Sequence, residues 1–205
     1  MAESPVPSPV RLRDRRATEA AIVEAGQRIL LRDGFPGLNV QTLAAEAGCD
    51  RKLVYRYFEG IEGVVARLAA RAAAELVRAL DAAPAAEGDS LRGFARASLA
   101  AWLAALRASP LTLRLMAWAL VERSPLLERI EAERAALLQA WMRERRPRLR
   151  VPPEGDPAAL NAVLMAAVQH LALADGAAVG GLALDDAGWP RAEAALDRLL
   201  AVYGD

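Results

Sequence analysis

VQTLAAEAGCDRKLVYRYF, residues 40–58, reads as a helix, a tight turn and a second short helix. Apolar side chains recur every three or four residues from Val40 to Ala47, which predicts one buried stripe on the first helix. Gly48 stands where the chain must reverse, a position that favours a positive φ angle. Asp50 is suited to cap the second helix because its carboxylate can accept hydrogen bonds from backbone N–H groups. The stretch therefore predicts a compact two-helix unit.

The second helix divides its side chains between a core and other faces. Val54 and Phe58 are four residues apart and are predicted to face inward. The other faces carry basic and tyrosine side chains, namely Arg51, Lys52, Tyr55 and Tyr57. A short helix that offers such side chains from a two-helix unit is typical of proteins that read the DNA major groove. The alternative interpretation is a helical hairpin with a purely structural role.

The surrounding sequence, residues 16–65, resembles the N-terminal domain of the TetR family of transcriptional regulators. The matching residues are Ile22, Ala25, Gly34, Phe35, Val40, Leu43, Ala44, Gly48, Tyr55 and Phe58. The resemblance implies an all-α fold with an N-terminal three-helix helix-turn-helix DNA-binding domain and a C-terminal helical ligand-binding and dimerisation domain. It also implies a homodimer, a palindromic DNA operator and a small-molecule effector. Ile61 departs from the family pattern, which commonly has a lysine there in contact with the DNA backbone.

Within this interpretation, seven residues are candidates for DNA binding. They are Gln41, Thr42, Arg51, Lys52, Leu53, Tyr55 and Tyr57. Arg51 and Lys52 are predicted to meet base edges, and Leu53 suits a thymine methyl group. The two tyrosines, together with the glutamine and the threonine, are predicted to hold phosphates and set the register. Two such helices ~34 Å apart, one DNA turn, would read a palindromic operator.

The charge of the whole chain gives this interpretation no support. Of 205 residues, 54% are hydrophobic, and 26 basic side chains balance 26 acidic ones. A nucleic-acid binder is more often basic. Residues 1–58 hold nine Arg and Lys against seven Asp and Glu, a net charge of only +2. Arginines cluster from Arg11 to Arg16, however, which predicts a basic arm beside the main contact or, alternatively, a solvated tail.

The residue counts argue against several other kinds of protein. One histidine and one cysteine are too few for a His/Cys metal cluster, and His170 lies far from Cys49 in the chain. No Gly-rich phosphate loop follows a strand, because no strand is predicted. The sequence therefore indicates no enzyme, metal or cofactor. A single cysteine fits a reducing cytoplasm, and no stretch is long and apolar enough to suggest a membrane span.

The chain is predicted to consist of helices alone. Residues 1–10 are predicted to be a disordered tail, residues 11–60 the DNA-binding domain, and residues 61–205 the helical ligand-binding and dimerisation domain. The first helix is predicted from about Ala17 to Asp33, and a long one from Ile61 to Asp81. Further helices are predicted to end near residues 107, 123, 146, 175 and 203, with a Gly-rich loop after residue 175.

The helix predicted over residues 157–175 is apolar on nearly every face. Leu160, Leu164 and Leu171 form one face, yet Val163 and Ala166 extend apolar surface to the other side. Such a helix must be covered on both sides, and the second cover could be another subunit. The final helix is predicted to turn Ala192, Leu196, Leu199 and Tyr203 inward. This pattern agrees with the homodimer through the last two helices that the resemblance implies.

Aromatic and thioether side chains on the middle helices indicate a cavity for an apolar or amphipathic small molecule. The candidate ligand-binding residues are Trp102, Arg114, Met116, Trp118, Trp141, Gln169 and His170. Among them, Arg114, Gln169 and His170 are the candidates for polar contacts that orient the ligand. The alternative interpretation is that these residues are ordinary members of the core.

Two functions remain open on the sequence. The first is a ligand-responsive transcriptional regulator, expected to be a repressor, although the sequence does not distinguish repression from activation. The second is an all-α small-molecule-binding or adaptor protein with a degenerate DNA-binding head, which Ile61 and the near-neutral charge favour. Salt dependence would distinguish them, because a phosphate-binding surface loses affinity steeply as salt rises.

Overall fold

The computed structural model describes residues 9–82, 91–145 and 157–203, and these residues form nine α-helices and one short hairpin. The first four helices are α1 Pro9–Asp33, α2 Val40–Ala47, α3 Arg51–Phe58 and α4 Ile61–Asp81, with a 3₁₀ turn Phe35–Gly37 after α1. The others are α5 Leu91–Arg107, α6 Pro110–Val121, α7 Pro125–Arg145, α8 Pro157–Leu173 and α9 Gly188–Leu199, which continues as a 3₁₀ turn Leu200–Tyr203. The predicted all-α class is confirmed. Within these ranges no helix combines the length and apolar character needed to cross a bilayer.

The chain divides into two compact units. The N-terminal unit comprises residues 1–71 and 122–130, and the C-terminal unit comprises residues 72–121 and 131–205. Helix α4 contributes residues to both units. The candidate DNA contacts all belong to the N-terminal unit, whereas the candidate ligand contacts all belong to the C-terminal unit.

The N-terminal unit is held together by apolar side chains from α1, α2, α3 and the start of α4. Its buried residues include Ile22, Ala25, Ile29, Leu30, Leu43, Ala44, Val54, Phe58, Val64, Val65 and Leu68. Gly26 marks the closest approach of these helices, because a Cβ atom there would lie 3.1 Å from Val64 Cγ1 and 3.6 Å from Leu43 Cδ1. The buried stripes predicted for α2 and α3 therefore pack against α1 and α4.

The core of the C-terminal unit is built from α4 to α9. Trp102, Leu106, Leu80 and Val168 are completely buried in it, and Met116, Trp141, Leu164 and Trp189 are at most 8% exposed. Near one edge, the indole Nε1 of Trp189 donates a 2.7 Å hydrogen bond to Asp175 Oδ1. Arg107 Nε lies 3.6 Å from Asp175 Oδ2, and its guanidinium carbon lies 4.2 Å from the Trp189 ring centroid. These three side chains tie the ends of α5 and α8 to the start of α9.

The structure differs from the sequence-based expectations in three places. Helix α1 begins at Pro9 rather than near Ala17, so the expected basic arm is helical from there on. Residues 178–183 form an antiparallel hairpin of two-residue strands, β1 Ala178–Val179 and β2 Leu182–Ala183, where only a loop was predicted. Two glycines with positive φ supply its tight turn. Leu199 is 59% exposed instead of facing inward.

Candidate nucleic-acid interface and ligand cavity

The start of α2 is fixed by its own sequence. Asn39 Oδ1 accepts hydrogen bonds of 3.0 Å from the backbone N–H groups of Gln41 and Thr42. In return, Thr42 Oγ1 accepts from the Asn39 N–H at 3.3 Å, which completes a capping box. The same hydroxyl donates a 2.6 Å bond to Gly37 O. Asn39 is thus the N-cap of α2, and the single hydroxyl proton of Thr42 is already used within the protein.

The turn between α2 and α3 has the predicted chemistry. Gly48 adopts φ 64° and ψ 35°, and its N–H bonds back to the last turn of α2. This left-handed conformation is accessible to glycine without steric cost. Asp50 Oδ1 then accepts a 2.8 Å hydrogen bond from the Lys52 N–H at the start of α3. The roles predicted for Gly48 and Asp50 are confirmed, and they fix where α3 begins.

Helix α3 is anchored on one side and free on the other. Val54 is completely buried and Phe58 is 7% exposed, whereas Tyr55 is 58% exposed. The other exposed or half-buried residues of α3 are Arg51, Lys52, Leu53, Arg56 and Tyr57. Arg56 is also exposed, but it was not among the residues predicted to bind DNA. The signal was available, since Arg56 follows Lys52 by four residues and must share its face.

A groove of about 950 Å³ opens between α2 and α3. Its lining includes four of the predicted DNA-binding residues, namely Gln41, Arg51, Lys52 and Tyr55. The other lining residues are Asn39, Val40, Ala44, Ala45, Cys49 and Asp50. Thr42, Leu53 and Tyr57 are outside this lining. The groove is therefore a concave surface with two cations and a tyrosine at its rim.

Cys49 lies in this groove and is half-buried. Burial raises the pKa of its thiol, and the neighbouring charge of Asp50 raises it further. Since the thiolate is the reactive form of cysteine, Cys49 is a weak nucleophile at neutral pH.

Helix α1 contacts both α2 and α3 through charged side chains. Arg28 Nε lies 2.8 Å from Glu46 Oε1, and Arg32 lies 3.3 Å from Glu46 Oε2. The hydrogen bond from Arg28, together with Arg32, lowers the pKa of the Glu46 carboxyl. Nearer the N-terminus of α1, the Arg15 guanidinium carbon lies 5.2 Å from the Tyr57 ring centroid, and Arg15 Nε lies 2.7 Å from Glu19 Oε1. Tyr57 is thus braced against α1 instead of projecting freely.

A small cavity lies inside the C-terminal unit, between α5, α7 and α8. Its lining consists of Ala95, Ser98, Leu99, Trp102, Leu138, Trp141, Met142, Asn161, Leu164 and Met165. Its volume is about 10 Å³, space for about one water molecule. Of the predicted ligand contacts, the structure brings Trp102 and Trp141 together at this cavity.

The remaining ligand candidates lie outside that lining. Arg114 and His170 are exposed on the surface, Trp118 and Gln169 are half-buried, and Met116 is buried in the core at 5% exposure. Ser98 and Asn161 were not among the predicted ligand-binding residues, although they are the polar side chains of the cavity wall. Both follow from helical spacing, since Ser98 lies one turn before Trp102 and Asn161 lies one turn before Leu164.

Comparison with known proteins agrees with this arrangement. Residues 22–68 match the model of the family of bacterial regulatory proteins of the tetR type. Salmonella enterica GusR has 13% identity and a TM-score of 0.63, with 97% of each chain covered. A TetR family transcription regulator from Marinobacter aquaeolei VT8 has 19% identity and a TM-score of 0.59, over 92% of this chain and 97% of that one. The multidrug binding protein EbrR, solved with imidazole, has 26% identity and a TM-score of 0.59, over 88% and 93%. No curated protein was found to match.

The fold and the groove define an all-α helix-turn-helix DNA-binding regulator. The matched region contains the groove between α2 and α3, so residues 22–68 resemble the N-terminal domain of TetR family regulators, and the fold of the chain is similar to that of TetR family structures.

Proposed function

We propose that this protein is a ligand-responsive repressor that acts in the cytoplasm and binds a palindromic operator as a homodimer. One observation carries the proposal. The groove of the N-terminal unit has Arg51, Lys52 and Tyr55 on its wall, presented by a helix whose opposite side is buried. No enzymatic activity is part of this proposal.

Base reading is assigned to the first turn of α3. Arg51 and Lys52 are exposed and come directly after the capping residue Asp50. Arginine and lysine donate hydrogen bonds to the O6 and N7 atoms of guanine in the major groove. Residues at the N-terminal end of a recognition helix are the ones that reach base edges. Each half-site is therefore expected to contain guanine opposite this turn.

Phosphate binding is assigned to side chains on both sides of the base readers. Tyr55 and Gln41 are exposed on the wall of the groove, and Arg56 adds an exposed charge one turn after Lys52. Such contacts fix the register without reading sequence. The side chain of Ile61 has no donor for a phosphate, and in this proposal the exposed charge of Arg56 replaces that of the lysine that the family commonly has at position 61.

The homodimer is assigned to α8 and α9. Val163 on α8 is 65% exposed and Leu199 on α9 is 59% exposed, although both are large apolar residues. Ala162 and Ala166 add further apolar surface beside Val163 on α8. A second copy that covered these side chains would remove this surface from water, which favours association.

The effector is assigned to the C-terminal unit, where the cavity between α5, α7 and α8 lies. An effector can weaken DNA binding only if it binds more tightly to the shape of the dimer that does not fit the operator. The proposed role of the C-terminal unit is therefore to set the separation of the two recognition helices.

The DNA-binding part is tested with DNA flanking the gene of this protein, at several salt concentrations and with competitor DNA. An Arg51→Ala, Lys52→Ala double variant should lose selectivity for the operator, since each base contact contributes roughly 1–3 kcal/mol. An Arg56→Ala variant should bind all sequences more weakly and reduce the slope of log affinity against log salt by about one for each protomer.

A matched control removes two charges outside the groove, with Arg78→Ala and Arg143→Ala, which are both exposed. This variant should bind like the wild type. If the Arg51, Lys52 variant retained its selectivity, the assignment of the base readers would be wrong. If the wild type showed no salt-sensitive, selective binding to that DNA or to a library of random sequences, the alternative of a degenerate DNA-binding head would replace this proposal.

The homodimer is tested by Val163→Glu in sedimentation equilibrium. The buried charge should convert the dimer to monomers, whereas Glu193→Gln on an exposed position of α9 should not. A dimer of unchanged affinity in the Val163→Glu variant would exclude this face as the interface.

A further inference from the structure

Three helices line the cavity of the C-terminal unit with one stripe each. Helix α5 contributes Ala95, Ser98, Leu99 and Trp102, helix α7 contributes Leu138, Trp141 and Met142, and helix α8 contributes Asn161, Leu164 and Met165. These residues recur at three- and four-residue spacing, so each stripe is a single helical face. None of the ten side chains carries a charge. The wall therefore suits a neutral, largely apolar molecule.

Trp102 is the unusual member of this wall. Its side chain is completely buried, and its indole Nε1 has no hydrogen-bond partner among the residues that the structure describes. An indole N–H is a donor only. Buried donors are nearly always paired in native proteins, because an unpaired one is unfavourable. Because Trp102 also lines the cavity, this donor is a candidate partner for an acceptor that enters the cavity.

The indole of Trp102 is also held in place. The guanidinium carbon of Arg134 lies 5.8 Å from its ring centroid, and Arg134 is itself hydrogen-bonded to Glu131 on the same helix. A donor whose ring is fixed loses little freedom when it binds an acceptor, which strengthens the contact. The positive charge of Arg134 is balanced by Glu131, so it adds no requirement for an anionic ligand.

The size of the cavity sets a second condition. A volume of about 10 Å³ holds about one water molecule, so a larger ligand must move part of the wall. Met142 and Met165 are half-buried members of that wall. Methionine is unbranched and flexible, and it adapts to irregular spaces more readily than other apolar side chains. These two thioethers are the parts of the wall that can move at the least cost.

We infer that the effector is a neutral, largely apolar molecule with one hydrogen-bond acceptor at its edge. The acceptor takes a hydrogen bond from Trp102 Nε1–H, and the apolar part of the molecule displaces Met142 and Met165. The claim that this molecule is the effector rests on the proposed function, whereas the claim that the cavity binds it does not.

The test uses two probes of the same shape, quinoline and naphthalene, with the full-length protein at pH 8. Quinoline has a ring nitrogen that accepts a hydrogen bond, and naphthalene has none. The dissociation constant of each probe is measured by calorimetry for the wild type and for Trp102→Phe, which retains an aromatic ring and removes the donor. The ratio of the two constants should favour quinoline about 10-fold more strongly in the wild type than in the variant.

Trp118→Phe is the matched control, since this half-buried tryptophan of α6 lies outside the wall. It should leave the ratio unchanged. A ratio that is equal in the wild type and in Trp102→Phe overturns the inference, as does failure of both probes to bind the wild type. If Trp102→Phe does not fold, the test is the NMR chemical shift of the Trp102 indole N–H in the wild type on addition of each probe. Quinoline should shift this resonance downfield and naphthalene should not; equal shifts would overturn the inference.

Operator binding is measured separately in the presence of each probe. If quinoline binds as expected but does not change operator affinity, the cavity chemistry stands and the ligand response of the proposed function fails. If the protein binds no DNA while the probe ratio behaves as expected, the DNA-binding proposal alone fails.

Discussion

The contact of Asp175 with Trp189 gives the strongest prediction for stability. Its Oδ1 atom accepts the indole proton of Trp189 at 2.7 Å, and Trp189 is only 4% exposed. A hydrogen bond to a charged acceptor contributes about 1.5–3 kcal/mol. The ion pair with Arg107 contributes much less, about 0–1 kcal/mol, because the side chains of Arg107 and Asp175 are 37% and 40% exposed. Asp175→Ala should therefore lower the free energy of unfolding by about 2–3 kcal/mol.

A second substitution separates the hydrogen bond from the charge. Asparagine at position 175 retains an oxygen that can accept the indole proton but loses the attraction to Arg107. Asp175→Asn should therefore cost about 1 kcal/mol or less. In a double-mutant cycle with Trp189→Phe, Asp175→Ala should show a coupling energy of about 1.5–3 kcal/mol, because each single change already removes the same hydrogen bond.

Equilibrium unfolding in urea measures these differences, with far-UV circular dichroism as the signal because a tryptophan is altered. Asp186→Ala serves as the control, since Asp186 is an exposed aspartate of the same loop and should change stability by less than about 0.5 kcal/mol. Equal losses for Asp175→Ala and Asp175→Asn would refute the hydrogen bond as the main contribution. A loss below about 0.5 kcal/mol for Asp175→Ala would refute any role of the cluster in stability.

Three further predictions concern the N-terminal unit. Because contacts with Arg28 and Arg32 lower the pKa of Glu46 from its ordinary value of 4.5, its contribution to stability is present above that value and lost as pH falls through the lowered one. Glu46→Gln should thus unfold at lower urea than the wild type at pH 7 and show no such difference at pH 2; a constant difference across this range would contradict the assignment. Gly63→Ala should lower the free energy of unfolding in urea by roughly 1–3 kcal/mol, since a Cβ atom at position 63 would lie 1.8 Å from the carbonyl oxygen of Phe58. An unchanged urea midpoint would show that the backbone between α3 and α4 can shift to accommodate the methyl group without loss of stability. Glu59→Gly should raise the melting temperature, because Glu59 has φ 61°, where glycine is favoured by about 1 kcal/mol; a lower melting temperature would mean that its side chain contributes to stability.

Local signals were sufficient to predict the helices around the groove. The capping roles of Asn39 and Asp50 and the reversal at Gly48 depend only on residues within one turn, so their chemistry is visible in the sequence. The predicted start of α1 near Ala17 was wrong because a local signal was misinterpreted. The proline-rich stretch suggested disorder, yet proline is compatible with the first turn of a helix, and α1 begins at Pro9.

Contacts between distant residues could not be predicted in the same way. Periodicity shows that Trp102 faces inward, but it does not show that Trp141 and Asn161 meet it at one cavity, because that depends on how α5, α7 and α8 pack. The hydroxyl of Thr42 looked available for a phosphate, and only the structure shows its bond to Gly37 O. The hairpin at residues 178–183 has strands of two residues, too short for any alternation to be visible.

The brevity of α3 has a consequence for how DNA preference can change over evolution. A helix of eight residues is too short to persist alone in water, so it exists only because Val54 and Phe58 are buried beneath it. The outward positions contribute little to that anchoring, and exposed substitutions usually alter stability by less than about 0.5 kcal/mol. If Arg51 and Lys52 read the bases as proposed, operator preference can therefore change through substitutions at these two residues while the fold stays constant. The exposed face of α3 can thus vary in sequence, while the buried Val54 and Phe58 keep the helix in place.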